Sequence, residues 1–220
     1  MESKGVVVFA LDIEARGQGP KRHGIMSIGV CVGSTQENKV IHKERFDMLP
    51  LEGQEMEKRC DKEFWSNNVS QYYRLTKNGK AASIQIKTFR DLLDKCDREY
   101  DDVYVVCDNP GFDFGMINYY LDYFQLPTLN YKINPSGSLS YRNNHDSDSY
   151  SRAVLNYNFD EPWMSNKVLI GEIGANELNA DDHDHMPEND AEFLYKLHYS
   201  TVLHQVSKKE KNKRQKTTLL

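Results

Sequence analysis

The chain opens with three apolar runs. Val6 to Leu11 is continuously apolar and rich in β-branched residues, the pattern of a strand buried on both faces. Gly17, Gly19 and Pro20 break it into a turn. Met26 to Val32 is a second run and Lys39 to Phe46 a weaker third, joined through Gly33-Ser34-Thr35, so the pattern predicts an antiparallel meander. A helix is expected between Glu55 and Asn68, ending in Phe64-Trp65, and then a polar loop through Lys77 to Lys80. Ile86, Phe89, Leu92, Leu93 and Cys96 recur at the helical period behind Ser83, a candidate cap. Tyr104 to Cys107 reads as a further buried strand, followed by a turn at Asp108-Asn109-Pro110-Gly111 and a helix whose inner face is Ile117, Tyr120, Leu121 and Phe124.

Beyond this point the periodicity weakens. Leu129 to Ile133 is a short strand candidate, and residues 134–184 read as an irregular insertion rich in Ser, Asn, Asp and Tyr, with a helix through Ser151 to Leu155. Val168 to Ile173 is apolar and is assigned to packing, since Gly171 and Gly174 are too sparse for a phosphate loop. Pro187 suits the first turn of a last helix, continued on one face by Leu194, Leu197, Thr201 and Val202.

Composition adds bounds rather than detail. At 220 residues the chain suits one domain, expected over residues 1–206, with a tail over 207–220. No apolar run approaches the ~20 residues that span a bilayer, so no membrane partner is expected. The N-terminus has no basic and apolar signal pattern, and the four cysteines, Cys31, Cys60, Cys96 and Cys107, lack Cys-x-x-Cys spacing. Free thiols in an intracellular setting, cytoplasm or nucleus, are the expectation. The tail carries six Lys/Arg against Glu210 alone, a net +5 hung on a body of net −10. Nucleic-acid contact, a nuclear-import signal and a solvated disordered end all fit such a tail.

Candidate chemistry starts at Asp12 and Glu14, which point the same way if the strand continues through them. Two like charges side by side at a strand end are costly unless a cation is shared, although a plain polar strand end is also consistent with the pair. A second carboxylate, Asp113, falls in the first turn of the helix after the later strand, with Asp108 as an alternative. His185 lies just before the last helix and Asp190 inside its opening turns, so that the two can converge on one point. The run from Asp181 to Asp190 could instead be a separate zinc site through His183 and His185, or a solvated acidic loop. Phe64, Trp65, Phe112 and Phe114 could stack on bases or simply fill the core.

Taken jointly, Asp12-x-Glu14, Asn109-Pro110-Gly111-Phe112-Asp113, and His185 standing ahead of Asp190-Ala191 resemble the three exonuclease motifs of the DnaQ-like DEDDh 3′-to-5′ exonucleases, in the family's order. The resemblance implies an RNase H-like α/β fold: a mixed five-stranded sheet, its first three strands an antiparallel meander and the others parallel, flanked by helices. It implies that Asp12, Glu14, Asp113 and Asp190 hold two divalent metal ions, Mg²⁺ or Mn²⁺, and that His185 is the general base. The partner would be single-stranded nucleic acid, DNA or RNA, entered from its 3′ end and released as nucleoside 5′-monophosphates. Substrate contacts would fall on Ala15, Arg16, Phe64, Trp65, Asn109 and Phe112. A homodimer is compatible with such a chain. Pro187 stands where many members have alanine, and the 134–184 region follows no family pattern. The alternative is a non-catalytic nucleic-acid-binding module on the same fold.

The residues fit this chemistry independently of the family. Phosphodiester hydrolysis drives a water at a negatively charged phosphorus while an alkoxide leaves, and two metal ions ~3.5–4 Å apart stabilise both oxygens. Mg²⁺ prefers oxygen ligands, which carboxylates supply. An imidazole of pKa ~6.5 can take up a proton at neutral pH.

Overall fold

The computed structural model describes residues 4–133, 139–142, 144–155, 166–179 and 184–218. Four strands form the body of its mixed sheet: β1 (Val6–Ala15), β2 (Ile25–Ser34), β3 (Val40–Asp47) and β4 (Asp102–Cys107). β1 pairs antiparallel with β2 and parallel with β4, and β2 pairs antiparallel with β3, as the apolar runs imply. The first strand is longer than its apolar run, continuing through Asp12 and Glu14 to Ala15. Its cross-strand partners keep both carboxylates on one face, Asp12 opposite Gly29 and Glu14 opposite Ser27.

Helices cover both faces. Val7, Phe9, Leu11 and Ile13 share a core with Ile28, Val30 and Val32, and with Ile86, Phe89 and Leu93 of α3 (Ala82–Glu99) and Ile117, Tyr120 and Leu121 of α4 (Asp113–Tyr123). Each such large side chain contributes about 1.5–3 kcal/mol by leaving water. Ser83 does not cap α3, which is entered through Ala81 without a side-chain cap. Between β3 and α3, the expected single helix is split into α1 (Lys58–Glu63) and a 3₁₀ turn at Trp65–Asn67. A further helix, α2 (Val69–Thr76), follows where the sequence shows mostly polar residues.

The opposite face is built from small residues so that one long helix can lie close. α7 (Pro187–Thr218) packs Ala191, Leu194 and Tyr195 on Val8, Ala10, Cys31 and Val106. Gly29 and Gly33 leave room beneath it: a Cβ on Gly29 would fall 1.9 Å from the carbonyl carbon of Pro187, and one on Gly33 2.1 Å from the Tyr195 ring. β3 clamps the start of the helix from the side, Arg45 to Glu188 at 3.0 Å and Lys43 to Glu192 at 2.6 Å. Gly29→Ala is therefore expected to destabilise the fold by about 1–3 kcal/mol, because the obstacle is backbone rather than a movable side chain. In thermal melts that is about 2–4 °C lost per kcal/mol. Gly115→Ala, on the exposed side of α4 with nothing within 4 Å, should instead be neutral or mildly stabilising. Equal Tm values for the two variants would show that the close approach at Gly29 carries no cost.

The described parts of residues 134–184 are more regular than their composition suggests. β5 (Tyr131–Ile133) pairs antiparallel with β6 (Leu139–Tyr141) and does not join the main sheet. The carbonyl of Tyr131 is held instead by the buried guanidiniums of Arg90 and Arg142, at 3.2 and 3.3 Å. Beside β4 the sheet edge is extended by three residues of β7 (Asn144–Asp146), paired in parallel. α5 (Ser147–Leu155) and α6 (Asn166–Ile173) follow, and Leu169, Ile170 and Ile173 pack on Phe193 and Leu197 of α7. The assignment of this apolar stretch to packing holds. α7 runs on through the basic stretch to Thr218, where Lys, Arg, Glu and Gln without Gly or Pro favour helix. Among the described residues no helix is long and apolar enough to cross a membrane.

Candidate active site

The face of β1 that meets the start of α7 carries the acidic pair, and the pleat of the strand sets both side chains on it. Glu14 is buried, and its Oε1 lies 3.5 Å from Nδ1 of His185. Single ligand atoms of Glu14, His185 and Asp190 all lie within 4.8 Å of one another. His185 sits at φ +55, a left-handed conformation unusual for a non-glycine residue. The loop is held there by Asp184, whose carboxylate accepts from the Met186 N–H at 3.0 Å and from Asn189 Nδ2 at 2.9 Å. Pro187 then opens α7, and Asp190 points inward from its first turn, 1% exposed.

Asp113 enters from the third direction. It begins α4 just beyond β4, 3% exposed, and its Oδ2 accepts the backbone N–H of Asn109 at 3.0 Å. Of the two alternatives, Asp108 is exposed and Asp113 is the buried one. Burial, chiefly, lifts the Asp113 carboxyl to about 7, with Asp108 and Glu14 adding repulsion against the Asn109 hydrogen bond. Asp12 is raised well above the usual carboxylate range, first by burial and then by Asp113, Glu14, Asp190 and Asp108. Every neighbouring charge acting on Asp12 is thus another carboxylate. Asp113, Glu14 and Asp190 all act on Asp12, so the four predicted carboxylates lie close enough to repel one another.

That donor set fits divalent metal. Carboxylate oxygens with one imidazole suit hard or borderline divalent ions, and the raised carboxyls would lose their protons to such a charge. A separate zinc site would need His183, which lies outside the described residues, and His185 faces Glu14 instead.

Beside the acidic cluster opens a cleft of about 580 Å³, lined in part by Glu14, Ala15, Phe64, Asn109, Gly111 and Phe112. Its size lies within the range of small-molecule sites. Phe64 stands edge-on to the His185 ring, with centroids 4.7 Å apart. Four of the six residues expected to touch substrate are therefore on this cleft. The other two are turned inward. Arg16 is 8% exposed and its guanidinium donates to the Ile25 and Met48 carbonyls at 2.8 and 3.5 Å. Trp65 is 2% exposed, donates from Nε1 to the Ala15 carbonyl at 3.2 Å and packs with Met26, Leu75 and Met186. Both are turned inward for a physical reason: each satisfies a carbonyl next to the bend at the end of β1. Phe114 likewise belongs to the core. Glu57, Arg59 and Cys60, which no sequence pattern singles out, complete the cleft from the segment leading into and through α1.

No family model matches the sequence, and no curated protein matches it at the sequence level. Comparison of structures does find relatives. The nuclease domain of 3'hExo, described as a DEDDh family member and bound to rAMP, aligns with a TM-score of 0.60 at 9% identity over 90% of this chain and 91% of that one. A full-length 3'-exonuclease aligns with a TM-score of 0.62 at 11% identity, over 92% and 83%. E. coli exonuclease I in complex with a dT13 oligonucleotide aligns with a TM-score of 0.57 at 12% identity, over 94% of this chain and 41% of that one. The present chain thus spans less than half of exonuclease I, and nearly the whole of the 3'hExo nuclease domain. With its antiparallel meander, parallel fourth strand and flanking helices, this chain has the RNase H-like fold of the DEDDh exonucleases.

Proposed function

We propose that this protein is a metal-dependent 3′-to-5′ exonuclease that shortens single-stranded DNA or RNA from the 3′ end and releases nucleoside 5′-monophosphates. The observation that carries this reading is the convergence of Glu14, Asp190 and His185 within 4.8 Å, from a strand, a helix and the loop before it, beside a cleft lined by Phe64 and Phe112. Asp12, Glu14, Asp113 and Asp190 would hold two divalent ions, Mg²⁺ or Mn²⁺. When bound, such ions supply Lewis-acid charge to the attacking and leaving oxygens of an in-line displacement. The chain's own groups do the rest. Nδ1 of His185 faces Glu14, so in an Nδ1–H tautomer Nε2 would be the nitrogen that takes the proton of the attacking water. Ala15, Asn109 and the rings of Phe64 and Phe112 line the space a terminal nucleotide would take, and aromatic faces accept any base. The deep placement of Asp113 and Asp190 keeps bulk water away from the reacting charge, which strengthens each electrostatic contact.

Incubating 5′-labelled DNA and RNA strands of equal sequence with Mg²⁺ or Mn²⁺ should give a ladder of products shortened from the 3′ end, abolished by excess chelator. An undiminished ladder in chelator would overturn the metal mechanism. Retention of the strands without any cleavage would favour a non-catalytic binding module instead.

A further inference from the structure

The turn between β1 and β2 forms a second groove that the site described above does not use. It has a volume of about 370 Å³, is lined by Gln18, Gly19, Pro20, Lys21, Arg22, His23 and Glu57, and shares Gln18 and Glu57 with the acidic cleft. The two are therefore neighbours along one surface path. We propose that this groove is a polyphosphate-backbone track, which carries the single strand upstream of the terminal nucleotide through contacts of Lys21 and Arg22 with its phosphates. The inference rests on the nuclease reading of the adjacent cleft.

Charge is the first argument. The body of the protein is strongly acidic, yet Lys21 and Arg22 are exposed side by side in the groove, and Arg59 stands on the rim of the cleft next to it. Among the described residues no carboxylate forms an ion pair with Lys21 or Arg22. Glu57 is the one carboxylate on the wall, and it is already engaged: Oε2 accepts the Gln18 N–H at 3.3 Å and Oε1 lies 3.5 Å from Arg59 Nε. An anionic chain leaving the acidic cleft in this direction meets the cations Arg59, Lys21 and Arg22.

The second argument is that the turn is built rather than loose. Its backbone is fastened to the segment before α1: Gln54 Nε2 donates to the Pro20 carbonyl at 2.6 Å, the Glu55 N–H to the Arg22 carbonyl at 2.9 Å, and the Glu57 N–H to the Arg16 carbonyl at 2.8 Å. Nδ1 of His23 is 3.1 Å from the Glu55 carbonyl and donates to it. Gly17 lets the two segments touch, because a Cβ there would come within 2.5 Å of Glu57 and 2.9 Å of His23. Gly24, at φ +69, closes the turn in a conformation that favours glycine. This frame fixes where the two cationic side chains leave the backbone, so the turn itself loses little conformational freedom on binding. The third argument is capacity: a cleft of about 580 Å³ takes a ligand of one or two nucleotides, so a longer strand must leave it along some wall.

The test uses the full chain with Lys21→Glu and Arg22→Glu combined, both surface positions. Binding of a fluorescent 20-mer and of a dinucleotide is measured in chelator, across a salt series, and the hydrolysis of both is measured with Mg²⁺. The preference for the 20-mer over the dinucleotide, in Kd and in kcat/KM, should fall by about ten-fold or more. The slope of log affinity against log salt for the 20-mer should become shallower by about 0.7 for each lost contact, roughly 1.4 for two. Unchanged length preference and salt slope would overturn the track. Should the wild-type chain bind the 20-mer with this salt dependence and cleave nothing, the nuclease reading fails while the groove stands.

Discussion

Asp113→Asn should lower hydrolysis by at least about 10²–10³-fold while making the metal-free protein more stable at neutral pH. The loss of activity follows from removing one of four carboxylates that would hold the cations whose charge stabilises the reacting centre, an effect of that order in a water-excluded site. The gain in stability follows from the sign of the pKa shift. An unfolded aspartate ionises near ~3.9, whereas burial holds Asp113 to about 7 in the folded chain. Between those values the folded state binds more protons than the unfolded state, so stability falls as pH rises through the window and is greatest below it. Asp12, raised in the same direction, adds to the slope. The metal-free wild type should therefore melt higher at pH 5.5 than at pH 8, by about 2–4 °C for each kcal/mol of repulsion relieved. The asparagine variant should show a flatter profile, because its uncharged amide has nothing to ionise. Thermal melts in chelator at the two pH values check this. A wild-type profile that rises towards pH 8 would mean that the carboxylates are not crowded as described.

Removal of the imidazole is the second large effect. His185→Ala should reduce kcat by about 10²–10⁴-fold, the usual contribution of a positioned general base. Oligonucleotide binding in chelator should change little, since the residue's neighbours are Glu14 and Phe64 rather than a cation-lined surface. A general base acts only while unprotonated, so the acidic limb of the wild-type pH–rate profile should change in the variant. A variant with the wild-type rate and pH profile would remove His185 from the mechanism, and with it the assignment of the loop before α7 to the site.

What the sequence determined by itself is local and periodic. Continuous apolar runs are legible because a strand buried on both faces needs them, and they located β1, β2, β3 and β4 within a few residues. The acidic pair on β1, Asp113 at the start of α4, and His185 ahead of Asp190 were legible because each lies where an element begins or ends, at positions that simple turn and cap chemistry marks. The helices α2 and α6 were obscured because each has only 8 residues, too few to be stable without tertiary packing, and of α5 only the second half, Ser151 to Leu155, was legible. Tertiary structure alone decided that Arg16 and Trp65 face inward, since each is claimed by carbonyls distant in the chain or left over at a strand end. It alone placed the edge-on contact of Phe64 with His185, and the cations of the β1–β2 turn beside the cleft. Spacing along the chain reports which residues share a strand or a turn of helix. Which side chains meet across elements is set by register, and here by the two glycines of β2 that let α7 settle onto the sheet.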